Sequence, residues 1–131
     1  LSRAVADAFS DGYRTFISGM AEGTDVWASE LILEMKKQHP DVRLVCALPH
    51  YGFENGRSFS EKERYRRILR QADRIYVLST HYRKGCYRIR NHFMVDNASL
   101  VIAVCNGSAS GTKSTVDYAR AKGIRVVSAA E

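Results

Sequence analysis

Leu100-Val101-Ile102-Ala103-Val104-Cys105, followed by Asn106-Gly107-Ser108-Ala109-Ser110-Gly111 and then Thr112-Lys113-Ser114-Thr115-Val116, is the stretch on which the fold turns. The first six residues are apolar without a break and half of them are β-branched, the pattern of a strand buried on both faces. The next six are small turn formers. Thr112 then opens a predicted helix with Val116 and Ala119 on one face and Gly123 at its end. Strand, Gly/Ser turn and helix N-terminus together gather unpaired backbone N–H groups and a positive dipole end at one spot, which suits an anion. Gly107 and Gly111 carry no side chain to keep a ligand from the backbone. The spacing is neither a Walker loop nor G-x-G-x-x-G: three residues separate the two glycines, and Thr112 stands between Gly111 and Lys113.

The rest of the chain repeats this alternation. Residues 1–11 read as a helix and Thr15 to Ser18 as a short strand. A long helix ends near Gln38, with Trp27, Leu31 and Met35 on its apolar face and Ala28 and Ile32 beside them. Val42 to Leu48 is a buried strand, and Pro49 to Gly56 a loop. Ser60 is the expected cap of the next helix, with Glu63 three residues on. Ile75 to Leu78, a helix from Cys86 to about Asn97, and Ile124 to Val127 complete the series. Such an order predicts an α/β domain, a mostly parallel sheet with helices on both faces. Right-handed crossovers would bring the loops 19–25, 49–56, 79–87 and 106–112 to one sheet edge, where α/β proteins bind ligands.

Composition narrows the function classes. At 131 residues, 45% hydrophobic and 26% charged, the chain suits one globular domain. No apolar run approaches 18 residues, so no membrane span is expected. Cys46, Cys86 and Cys105 lack C-x-x-C spacing, which points to reduced thiols and a cytoplasmic setting, and the four histidines lack metal-ligand spacing. The net charge of +6 is concentrated: residues 57–90 hold eleven Lys and Arg against three acids. Either an anionic partner or a solvated helix face accounts for it, and the second is favoured for Lys62, Arg64, Arg66 and Arg67.

Three motifs carry a resemblance. Ile17-Ser18-Gly19-Met20-Ala21-Glu22-Gly23-Thr24-Asp25-Val26-Trp27-Ala28-Ser29-Glu30, Arg90-Asn91-His92-Phe93-Met94-Val95-Asp96, and Asn106-Gly107 through Gly111-Thr112 resemble the YpsA-like branch of the SLOG superfamily, over essentially the whole chain. That superfamily groups the Rossmann-like DprA/Smf proteins with the LOG phosphoribohydrolases. The resemblance implies a Rossmann-like three-layer fold whose carboxyl edge binds a nucleotide or nucleotide-derived ligand, through Gly19, Gly23, Asp25, Arg90, Gly107, Gly111 and Thr112. Family members begin with a strand and a Gly-His-Arg-like loop ahead of the helix at residues 1–11. No such strand stands here, so the single domain of residues 1–131 is expected to lack its first strand.

LOG enzymes match through Arg90 and Met94, but their catalytic Glu falls on Thr115. A hydroxyl cannot replace a carboxylate in stabilising positive charge at a ribose. Hydrolysis of a nucleotide is therefore the alternative function, with Asp25 and Glu30 as candidate acids. Binding of single-stranded DNA, as in DprA relatives, is a further alternative. No cofactor beyond a nucleotide-like ligand is expected, and the family habit implies a homo-oligomer.

Overall fold

The computed structural model of the chain describes residues 1–104 and 110–129. Its elements alternate as the apolar periodicity requires: α1 (Ser2–Ser10), β1 (Thr15–Ser18), α2 (Thr24–Gln38), β2 (Arg43–Leu48), α3 (Phe59–Gln71), β3 (Arg74–Val77), α4 (Cys86–Asp96), β4 (Leu100–Val104), α5 (Ser110–Ala121) and β5 (Arg125–Ala129). All strand pairs are parallel, in the order β1-β2-β3 and, separately, β4-β5. The architecture is α/β and Rossmann-like. The expected single sheet is instead two ladders, because β1 and β4 do not pair with each other. Between them lies a cavity of about 830 Å³, walled by every residue of β1 and of β4 and floored by Val5 and Ala8 of α1.

β2 is the centre of the larger sheet, laddered on both edges, and Leu44, Cys46, Ala47 and Leu48 are buried on its two faces. The alignment of Ser18 with Cys46, and of Leu48 with Val77, brings the carboxyl ends of β1, β2 and β3 to one edge. α2 packs on β1 and β2 with α1 and α3 beside it; α4 packs on β2 and against α5, which covers β4 and β5. Right-handed crossovers put these two helix sets on opposite faces. The core is built from side chains such as Phe16, Val26, Ile32, Leu44, Tyr65 and Ile68.

Three local expectations change. The buried stripe of α2 is Val26, Ser29 and Ile32, leaving Trp27 at 40% exposure. The stripe is turned because Ser29 must reach the carbonyl of Asp25 and the sulfur of Met20. Ser58, not Ser60, caps α3: its backbone is extended and its Oγ accepts the N–H of Glu61 at 3.2 Å. α5 starts at Ser110, so Gly111 and Thr112 lie inside its first turn. No helix among the described residues is long and apolar enough to cross a membrane.

Candidate functional site

The loop leaving β1 holds the only non-glycine residue with positive φ among the described residues. Met20 is fully buried at φ 59°, a left-handed conformation that an unbranched side chain adopts only when its surroundings hold it there. Three groups do so. Ser18 Oγ accepts the Met20 N–H at 3.2 Å, Ser29 Oγ lies 3.3 Å from Met20 Sδ, and Arg57 Nη2 donates to the Met20 carbonyl at 2.9 Å. Gly23, at φ 92°, turns the chain into α2.

Asp25 stands in the first turn of α2, where the dipole favours a carboxylate. It does not cap the helix from within. Its Oδ2 reaches back four residues and accepts the Ala21 N–H at 3.1 Å, closing the loop. Burial pushes its pKa above the ordinary carboxylate value; the Ala21 N–H and the charges of Arg90 and Arg57 oppose that rise.

Arg90 comes from the first turns of α4 and is 6% exposed. Its Nη1 donates to the Gly19 carbonyl and its Nε to Asn91 Oδ1 at 2.7 Å, and its guanidinium lies 5.5 Å from the Phe53 ring centroid. Burial lowers its pKa, while Asp25 raises it. A guanidinium is nonetheless charged at any working pH. Gly19 is required by contact, not by backbone conformation: a Cβ there would stand 2.8 Å from Arg90 Nη1.

Arg90 is also a wall between two pockets. On one side is the cavity between β1 and β4, whose upper end is lined by Gly19, Asp25, Thr112 and Thr115. On the other is a second pocket of about 520 Å³, lined by Phe53, Asn55, Arg57 and Tyr87. Ala21, Glu22 and Asn91 are common to both. Behind the second pocket His50 is 8% exposed and enclosed by Phe53, Tyr82 and Tyr87, with ring centroids 5.7 to 6.2 Å away. Its Nδ1 is 2.7 Å from the Tyr51 carbonyl, which can only accept, so Nδ1 carries the proton. Tyr82 and Tyr87 are 59% and 45% exposed, so each keeps a ring face toward solvent.

Of the residues expected at a site, Gly19, Asp25, Arg90 and Thr112 meet around one cavity. Gly23 shapes the loop but lines neither pocket. Glu30 does not reach the site either. Both its oxygens are taken by Arg64 of α3, which also binds Glu61 at 2.8 Å, in a network about one-third exposed. Gly107 lies outside the described residues, and Gly111 is placed only as part of α5. Arg57, Phe53 and Asn55 were not among the expected site residues. The sequence signal for them was present but weak: an aromatic, an amide and an arginine inside or just after a two-glycine loop at the carboxyl end of a buried strand. Among the described residues no group of three His, Cys, Asp or Glu could hold a metal ion.

The chain is similar to the Uncharacterized SPbeta prophage-derived protein YoqJ of Bacillus subtilis (strain 168). The two are 32% identical over 117 residues, covering 80% of this chain and 68% of the relative. The UPF0398 proteins of Bacillus thuringiensis (strain Al Hakam) and Bacillus cereus (strain Q1) are each 26% identical over 126 residues, covering 94% of this chain and 68% of the relative. The model of the family described as YspA SLOG matches residues 1–126, the span that contains the β1 loop, Arg90 and the α5 turn. With the match extending over nearly the whole length, the chain belongs to the YpsA family of SLOG proteins.

Proposed function

We propose that the protein binds a nucleotide-derived small ligand at the carboxyl edge of the β1-β2-β3 sheet, with Arg90 at the centre of the site. The observation that carries this reading is the position of Arg90. It is a buried guanidinium drawn under the strained β1 loop, forming the common wall of two pockets that also present Asp25, Thr112 and an aromatic cluster. Buried arginine is costly unless the site uses its charge, and concave sites with a few polar groups among aromatic walls suit small ligands. Cytoplasmic action on such a ligand, as a sensor or regulator, follows the same reading.

The test is a thermal-shift panel on the full-length protein with AMP, ADP, ADP-ribose, NAD, cyclic dinucleotides and a short single-stranded DNA, at two salt concentrations. A ligand at one hundred times its Kd adds about 2.7 kcal/mol. A salt-tolerant shift with one small nucleotide, lost in Arg90→Met, is the expected result. Shifts with DNA alone that vanish at high salt would replace this reading with nucleic-acid binding.

Hydrolysis is a second reading, and one observation favours it. Asp25 is a partly buried residue on the cavity wall whose carboxyl pKa is raised by desolvation, a condition under which a carboxyl can serve as an acid. Release of free base or phosphate from the bound nucleotide, abolished by Asp25→Asn, would establish it.

A further inference from the structure

We infer that the smaller pocket is the seat of a phosphoryl group, held between Arg57 and Arg90 with the ligand's planar ring against Tyr87. The inference deepens the ligand reading above and rests on it.

Arg57 carries the argument. Its Nη2 holds the Met20 carbonyl, but its Nη1 is buried and donates to nothing. A buried N–H without an acceptor is costly, and folded proteins leave few of them. The guanidinium lies between Phe53 and Tyr65, with its central carbon 4.9 Å from each ring centroid. Arg57 and Arg90 share the lining of this pocket, and among the described residues neither makes an ion pair with a carboxylate. Of the acids close by, Glu54 pairs with Arg66 and Glu30 with Arg64; Asp25 accepts the Ala21 N–H and its charge acts on both guanidinium groups, and Glu22 stands exposed on the pocket wall.

Asp25 offsets part of the charge of the two guanidinium groups, and an anion in the pocket that both line would offset the rest. A phosphate monoester, with a charge of about −1.5 to −2 at neutral pH and three acceptor oxygens, satisfies both forks. The remaining walls define the rest of the ligand. Phe53 and Tyr87 offer aromatic faces beside the two cations, and Tyr87 is 45% exposed, leaving room for a ring to stack. The volume of about 520 Å³ admits a phosphoryl group with part of a nucleoside, within the roughly 300–1,000 Å³ of small-ligand sites. Thr112 lines only the other cavity, so it contributes to the remainder of the ligand and not to this group.

The decisive experiment compares AMP with adenosine by calorimetric titration of the full-length protein. The wild type is expected to bind AMP at least tenfold more tightly. Arg57→Gln should reduce that preference to less than twofold while leaving the adenosine Kd unchanged. Arg57→Lys keeps a donor for the Met20 carbonyl and so guards against simple unfolding; it should weaken AMP at least fivefold, again without changing adenosine. A preference for AMP that survives both substitutions in folded protein overturns the proposal, as does one abolished by Thr112→Val instead. If the wild type binds neither compound, the ligand reading itself fails. The pocket is then decided by titrating pyrophosphate and following the Arg57 and Arg90 Nε–Hε resonances. Saturable shifts at both uphold the anion seat, and none overturns it.

Discussion

Arg90 donates from Nη1 to the carbonyl oxygen of Gly19, joining residues 71 positions apart in the chain. The contact ties the first turns of α4 to the end of β1. It also explains why a residue with an ordinary φ must be glycine: the guanidinium occupies the space a methyl group would need.

Gly19→Ala should therefore destabilise the fold by about 1–3 kcal/mol, the usual cost of forcing atoms into a filled site. The added Cβ would meet Arg90 Nη1 at 2.8 Å and Cζ at 3.0 Å. Urea unfolding of the variant measures the loss. A double variant with Arg90→Met should recover part of it, since the clash is then gone.

Asp25 gives the fold a specific pH dependence. Burial raises its pKa above 3.8, so the folded protein holds the proton more tightly than the unfolded chain does. The contribution is fully favourable below 3.8 and is lost as pH rises through the folded value, with a slope of at most about 1.4 kcal/mol per pH unit. Asp25→Asn removes that titration. Its stability relative to wild type should rise with pH above 3.8 and level off once the wild-type carboxyl is fully ionised, as unfolding curves across a pH series would record.

Glu30→Gln should act on structure alone. The carboxylate is bound by Arg64 in a pair with both side chains 36% exposed, a setting in which ion pairs contribute less than about 1 kcal/mol. The loss should shrink in 1 M salt, and nucleotide affinity should stay at the wild-type value. A fall in turnover or affinity would return Glu30 to the site.

Cys46 should be inert in the native protein. Burial pushes its thiol up to about 12, leaving a thiolate fraction on the order of 10⁻⁴ at pH 8. Alkylation followed by peptide mass spectrometry should find Cys46 unmodified until denaturant is added.

The alternation of elements was legible because it rests on local pattern: a short unbroken apolar run such as Leu44 to Leu48, bounded by turn residues, reads as a buried strand. Details that depend on a choice between near equals were not. Ser58 and Ser60 each stand three residues before a glutamate, and only the extended backbone at Ser58 decides which one caps α3. The face of α2 was legible at Ile32 and Met35 but not at Trp27, which is exposed, or at Ser29, which is buried with bonds to Asp25 and Met20. At the site, Gly19, Asp25 and Arg90 were legible because contiguous motifs carry them. Arg57 was not, because its importance comes from Phe53, Tyr65 and Met20 closing around it in space.

The division of the strands into two ladders also sets the order in which the molecule opens. β2 is hydrogen-bonded along both edges, whereas β4 is joined to the rest of the fold by side-chain packing and by the chain itself. Amides of β2 should therefore exchange with deuterium at a higher free energy than those of β3 and β5, which are laddered along one edge only.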